Sequence, residues 1–117
     1  MRYLPLSVPP LEVEILRLES RTVIRCAGEV DVSNIQRLEE ALAQCAAGGE
    51  ADLDLDLTDV QFLDSCTLIA VERAEWTLLR EGRRLTVYPA GFAVRLFRLT
   101  GLGHLLAEDR SRFRMAA

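Results

Sequence analysis

The chain changes its hydrophobic period several times, and each change predicts a new element of secondary structure. Residues 11–18 alternate apolar and polar side chains for most of their length, and residues 22–27 resume an extended pattern rich in β-branched residues. Because only a short polar stretch separates them, the two runs predict a β-hairpin. Between Ile35 and Cys45 the apolar positions recur every three to four residues, which predicts a first amphipathic helix that ends at Gly48-Gly49.

The second half of the chain continues this alternation of strands and helices. Residues 52–57 alternate aspartate and leucine strictly, which predicts a strand with three carboxylates on a face that is at least partly wet. A second helix is expected over about 65–80 and a fourth strand at 85–88, followed by a third helix and a short turn within 92–106. The order β-β-α-β-α-β-α predicts a single α/β domain, with a small mixed sheet and helices packed on one face.

Two further expectations concern individual side chains. Ser33 and Gln36 have the spacing of a capping box, in which the serine bonds the third helical amide and the glutamine reaches back. Trp76 and Phe92 are expected in the core or at a helix seam, rather than as platforms for a cofactor.

Composition and charge narrow the classes of function. With 117 residues and 50% hydrophobic content, the chain can bury a single core without metals or crosslinks. It has no run near the ~18 apolar residues of a membrane span and no signal-peptide core, so we expect a cytoplasmic protein without membrane insertion. The net charge of −4 is mild and the basic residues, all arginine, are scattered, which argues against nucleic-acid binding. The sequence leaves the oligomeric state open, with a monomer as one option.

The residue types that bind metals do not form a recognisable site in the sequence. The three cysteines, Cys26, Cys45 and Cys66, lack CxxC spacing, and the one histidine, His104, is distant from them in the sequence. We therefore expect the cysteines to be small buried hydrophobic residues. The aspartates of residues 52–57 lack the turn glycine and distal glutamate of a calcium loop. We therefore expect no metal and no cofactor.

Residues 62–68 place a hydroxyl where an apolar strand gives way to a helix. A helix start presents unpaired N–H groups and the positive end of the dipole, so the backbone could hold a phosphate on Ser65. Ser65 could equally be an N-cap, although Leu68 stands where a capping box has glutamate or glutamine. The Asp64 carboxylate would complement the dipole but repel a phosphoserine, which suits a surface with two states.

Three motifs in this order resemble the STAS domain family, and specifically the bacterial anti-sigma-factor antagonists. Gly28-Glu29-Val30-Asp31 resembles the family's motif after the second strand, and residues 56–65 resemble its central strand running into the switch serine. Leu99-Thr100-Gly101-Leu102 resembles its closing helix boundary. The resemblance divides the chain into three parts: an N-terminal extension at 1–10, a STAS domain at 11–107, and a tail or edge strand at 108–117.

The resemblance implies a non-enzymatic protein that acts by partner switching. The dephosphorylated antagonist would bind an anti-sigma factor, which is often itself a serine kinase with an ATP-binding domain. Phosphorylation of Ser65 would release it, and a serine phosphatase would restore binding. Cys66 and Thr67 depart from the family's serine and glycine, and Thr67 is expected at the surface that the kinase approaches. The expected partner surface consists of Glu29, Asp31, Ser33, Asp64, Ser65, Cys66, Thr67 and Leu68.

Two other functions stay open at this point. The domain could be a STAS subunit of a larger assembly, such as a lipid-transport ATPase or a stress-sensing complex, that binds constitutively without phosphorylation. Alternatively, Cys66 at a helix start could have a lowered pKa and act as a nucleophile or redox sensor. Co-purification with a transporter ATPase would support the first, and rapid selective alkylation of Cys66 would support the second.

Overall fold

A four-stranded sheet forms the centre of the domain. The structure, a computed structural model, describes residues 10–47, 49 and 51–107. The first two strands are antiparallel, whereas the second, third and fourth run parallel. This mixed sheet confirms the predicted fold class. The strands lie side by side in the order of the chain: β1 (Glu12–Arg17), β2 (Arg21–Val30), β3 (Asp52–Leu63) and β4 (Leu85–Pro89).

Two helices form the parallel crossovers and pack on the same face of the sheet. α1 (Ile35–Ala47) joins β2 to β3, and α2 (Ser65–Leu79) joins β3 to β4. A 3-10 turn at Gly91–Ala93 leads into α3 (Val94–Leu99), and a second 3-10 turn follows at Gly103–Leu105. None of the helices in the described part of the chain is long and apolar enough to cross a membrane.

The element order agrees with the sequence prediction, with β2 and β3 longer than expected. The predicted N-terminal extension, apart from Pro10, and the predicted tail at 108–117 lie outside the described residues. On the helix side of the sheet, the leucines of β3 join the main hydrophobic core. One side of α2 is buried there as well, through Leu68, Val71, Ala74 and Leu78.

The aspartate face of β3 is partly wet as predicted, since Asp52 is exposed, but its other two carboxylates are buried. Asp54 and Asp56 are only 4% and 3% exposed. The parallel register places arginines of β2 beside them, so Arg21 pairs with Asp54 at 2.6 Å and Arg25 with Asp56 at 3.2 Å. These arginines of the neighbouring strand compensate the buried charges. The alternation of aspartate and leucine in β3 alone does not reveal such partners.

Trp76 and Phe92 are exposed, which contradicts their prediction as core or helix-seam residues. Trp76 is 67% exposed and Phe92 is 55% exposed. At 100° per residue, Trp76 lies on the opposite side of α2 from the buried residues Val71 and Leu78. Phe92 belongs to the short 3-10 turn before α3, in which Ala93 is the buried residue.

Candidate functional site

The carboxyl ends of β2 and β3 bring two of the predicted motifs together. These strands are parallel, and Val30 pairs with Leu63, so the two chains leave the sheet side by side. The Asp64 N–H donates a hydrogen bond to the Val30 carbonyl at 3.2 Å. Asp31 and Ser65 therefore follow adjacent strand ends. We call residues 29–34 and 64–66 together the strand-end surface.

Gly28 allows β2 to reach this surface. It has a φ of +106°, and a Cβ atom added to it would lie 2.2 Å from the carbonyl oxygen of Pro10. The register between β2 and β3 shifts around Gly28 and Glu29, as it does at a β-bulge. The resemblance predicts this motif after the second strand, whereas the structure continues β2 through Gly28 to Val30. The glycine is needed where the bulged strand passes close to the backbone of Pro10.

Asp31 organises the loop that leads into α1. Its Oδ1 atom accepts hydrogen bonds from the hydroxyl and the backbone N–H of Ser33, at 2.5 and 2.9 Å. The Ser33 hydroxyl, followed by the backbone bonds, lowers the pKa of the Asp31 carboxyl. The predicted capping box is therefore wrong, because the Ser33 hydroxyl donates to Asp31 instead of accepting from a helical amide. The Ile35 N–H bonds the Asp31 carbonyl instead, at 2.9 Å.

Sequence reasoning missed two residues of this loop, Val32 and Asn34. The Asn34 side chain donates to the Glu29 carbonyl at 2.9 Å and accepts from the Asp31 N–H at 3.0 Å, so it closes the loop. Val32 is 76% exposed, between these bonded residues. The available signals were an asparagine directly before the helix and an isolated apolar residue among polar neighbours.

Ser65 is the first residue of α2, and it is exposed. Asp64 occupies the N-cap position with an extended backbone, φ −109° and ψ 174°, and forms no side-chain capping bond. The alternative interpretation of Ser65 as an N-cap is therefore wrong. The first turn of α2 keeps the positive dipole end of a helix start, and its Thr67 N–H bonds the Asp64 carbonyl at 2.9 Å. Ser65 presents its hydroxyl at that position.

Cys66 does not have the electrostatics of a nucleophile. Its side chain is half-buried, and its thiol donates to the Asp64 carboxylate at 3.7 Å. Burial, and then the negative charge of Asp64, raise the pKa of the Cys66 thiol. The nucleophile hypothesis requires a lowered pKa, so these surroundings do not support it. Cys26 and Cys45 are buried, as predicted.

Thr67 and Leu68 turn away from the strand-end surface. Thr67 is 0% exposed and Leu68 is 7% exposed, because both lie on the side of α2 that faces the core. The prediction that they contact a partner, and that Thr67 meets a kinase, is therefore wrong. Among the described atoms, the Thr67 hydroxyl also has no hydrogen-bond partner. Five of the predicted residues besides Ser65 remain at least partly accessible: Glu29, Asp31, Ser33, Asp64 and Cys66.

Comparison with known families identifies the class of this domain. A profile described as "Mlab, STAS domain" matches residues 15–107. This match covers most of the chain, and the chain therefore belongs to the STAS domain family. No curated protein matches the sequence.

Solved structures with the same fold include anti-sigma-factor antagonists. An antagonist from Mycobacterium paratuberculosis is 25% identical, with a TM-score of 0.78 over 92% of this chain and 93% of that chain. The antagonist SpoIIAA in its unphosphorylated form is 17% identical, with a TM-score of 0.76 over 89% and 93% of the two chains. Bacillus SpoIIAA in its phosphorylated form is 17% identical, with a TM-score of 0.70 over 91% and 100%. The two SpoIIAA structures share the fold with this chain.

Proposed function

We propose that this protein is an anti-sigma-factor antagonist whose binding is controlled by phosphorylation of Ser65. The observation that carries the proposal is the exposed Ser65 hydroxyl at the start of α2, beside the end of β2 and outside the N-cap position. The partner is an anti-sigma factor that is also a serine kinase with an ATP-binding domain, and a serine phosphatase reverses the modification. We place this exchange in the cytoplasm. The similarity to a Mycobacterium paratuberculosis antagonist supports the proposal.

Phosphorylation would act on the strand-end surface mainly through charge. A phosphate adds about −1.5 to −2 charges at pH 7. Asp31 and Asp64 already follow the two paired strand ends, and Glu29 precedes them, so the new charge joins a surface that is acidic. In an interface formed by this surface, which includes Ser33 and Cys66, repulsion and desolvation would release the partner. The unmodified surface would bind.

Incubation with the purified kinase and ATP tests the regulatory part of the proposal. We expect mass spectrometry to find one phosphate on the wild-type protein, at Ser65, and none on Ser65→Ala. Ser33→Ala is the matched control, since it removes the other serine of the strand-end surface, and it should still gain one phosphate. A protein that stays unmodified, or one modified at Ser33 alone, would refute the proposal.

A second candidate is a STAS subunit that binds the ATPase of a larger assembly constitutively. The specific observation in its favour is the description of the matching profile, which names Mlab rather than an antagonist. In that case Ser65→Ala and Ser65→Asp would bind the partner equally well, and the co-purified partner would be a transporter ATPase. Under the first proposal, Ser65→Asp binds poorly because its charge imitates part of the phosphate.

A further inference from the structure

The outer side of α2 carries large apolar side chains in line with Ser65. At 100° per residue, Ser65, Ile69, Glu72 and Trp76 fall within about 60° of one another around the helix axis. We call these four residues the α2 stripe. It lies opposite the buried side of the helix and extends about 16 Å from Ser65 to Trp76. Ile69 is 51% exposed and Trp76 is 67% exposed.

This arrangement is unusual for a helix that only covers a core. The solvent side of such a helix normally carries polar and charged residues, whereas α2 has apolar residues on both sides. Tryptophan is among the residue types that contribute most to protein interfaces, because it buries a large rigid area. The α2 stripe therefore has the composition of a protein-binding surface that continues from the Ser65 site.

The charged residue within the stripe indicates what the partner must present. Within the described part of the chain, Glu72 forms no ion pair, whereas the neighbouring Glu75 is paired with His104 at 2.7 Å. A partner that covers the stripe must compensate the Glu72 carboxylate, since an unpaired buried charge is costly. A basic side chain opposite Glu72 would do so.

We propose that the α2 stripe extends the Ser65 site into one elongated interface for the anti-sigma-factor kinase. The kinase would receive α2 in an apolar groove that has a basic side chain facing Glu72. Spacings of four, seven and eleven residues from Ser65 are those by which a helix lays one side into such a groove. This inference rests on the proposed function and names residues that determine affinity beyond the phosphorylated serine.

The test uses the only tryptophan of the chain as the reporter. The protein is labelled with 5-fluorotryptophan, so that fluorine NMR observes Trp76 alone, and is titrated with each purified anti-sigma-factor kinase from the same genome. The resonance is expected to shift or broaden on binding. Trp76→Ala is expected to weaken binding about 30-fold, as at an interface hot spot. Leu99→Ala is the matched control, because Leu99 is 72% exposed on α3, and its effect should stay below about twofold.

The outcomes separate this inference from the proposed function. If Ser65→Asp loses the kinase but Trp76→Ala binds within about twofold of wild type, the α2 stripe lies outside the interface and the inference fails alone. If no kinase binds the wild-type protein, both fail. A fluorine resonance that shifts with the protein's own concentration, without kinase, would assign the stripe to a second copy of the chain and overturn the inference. Circular dichroism of each variant confirms that it is folded.

Discussion

Replacing Arg83 by alanine is expected to destabilise the domain while leaving the strand-end surface unchanged. The Arg83 side chain is only 6% exposed despite its charge. Its guanidinium donates hydrogen bonds to the carbonyls of Cys45, Ala46 and Ala51, at 3.0, 2.7 and 2.9 Å. It also pairs with Glu81 at 2.9 Å. One side chain thus links the end of α1 to the residue before β3.

The magnitude follows from the partners that alanine would leave behind. Hydrogen bonds from a charged donor contribute about 1.5–3 kcal/mol each, and three carbonyls would lose theirs. Water that enters the space replaces part of these bonds, and the ion pair with the exposed Glu81 contributes little. We therefore expect a loss of about 3 kcal/mol in the free energy of unfolding for Arg83→Ala. Arg83→Lys keeps the charge without the planar fork of donors, and about half of that loss is expected.

Urea denaturation followed by circular dichroism measures this loss. Arg84→Ala is the matched control, because Arg84 is adjacent and exposed, and its backbone N–H makes the bond to Asp52. The control is expected to stay within about 0.5 kcal/mol of wild type. If Arg83→Ala unfolds at the same urea concentration as Arg84→Ala, the guanidinium does not anchor α1 and the reasoning is refuted.

The site and the cysteines give three further predictions. Thr67→Val is expected to raise the free energy of unfolding by about 1 kcal/mol in the same assay, because it removes a buried hydroxyl that lacks a partner among the described residues. A loss of stability would contradict this. Ser33→Ala is expected to raise the pKa of Asp31 in a carbon-13 NMR titration, because the Ser33 hydroxyl lowers that pKa; an unchanged pKa would exclude the bond. Since the folded pKa is the lower one, this contribution to stability holds above the unfolded pKa and disappears as the pH falls through the folded pKa. Cys66 is expected to react with iodoacetamide at pH 8 more slowly than a free cysteine peptide, because burial raises the pKa of its thiol. Cys26 is expected to react only after unfolding, because burial raises the pKa of its thiol to about 12. Fast, selective alkylation of Cys66, detected by mass spectrometry, would support the nucleophile hypothesis.

The hydrophobic periodicity predicted the helices and strands, because burial of one side of an element requires apolar residues at regular spacings along the sequence. The start of α2 at Ser65 was predicted correctly. Gly82, with a φ of +72°, follows the end of this helix, where glycine commonly adopts a positive φ. The burial of Asp54 and Asp56 could not be predicted in this way, because it depends on the register that brings arginines from β2 beside them.

The site was predicted as a region, whereas individual roles within it depended on single-residue boundaries. Because the N-cap is Asp64 and not Ser65, the Ser65 side chain does not cap the helix. Each helical residue turns the side chain by 100°, so Thr67 points into the core while Ser65 faces solvent. The Ser33 hydroxyl could accept a hydrogen bond from a helical amide or donate one to a nearby acceptor. It donates, because the Asp31 carboxylate lies within reach two residues earlier.

The affinity of the kinase for the protein before and after phosphorylation tests the central claim most directly. Isothermal titration with the purified anti-sigma-factor kinase would compare the unmodified protein, the protein phosphorylated at Ser65, and Ser65→Ala treated with ATP in the same way. We predict that the unmodified protein and Ser65→Ala bind equally, and that phosphorylation weakens binding by about 100-fold or more, since like charges in an interface cost several kcal/mol. Equal affinities for the phosphorylated and unmodified proteins would contradict the claim that Ser65 controls binding.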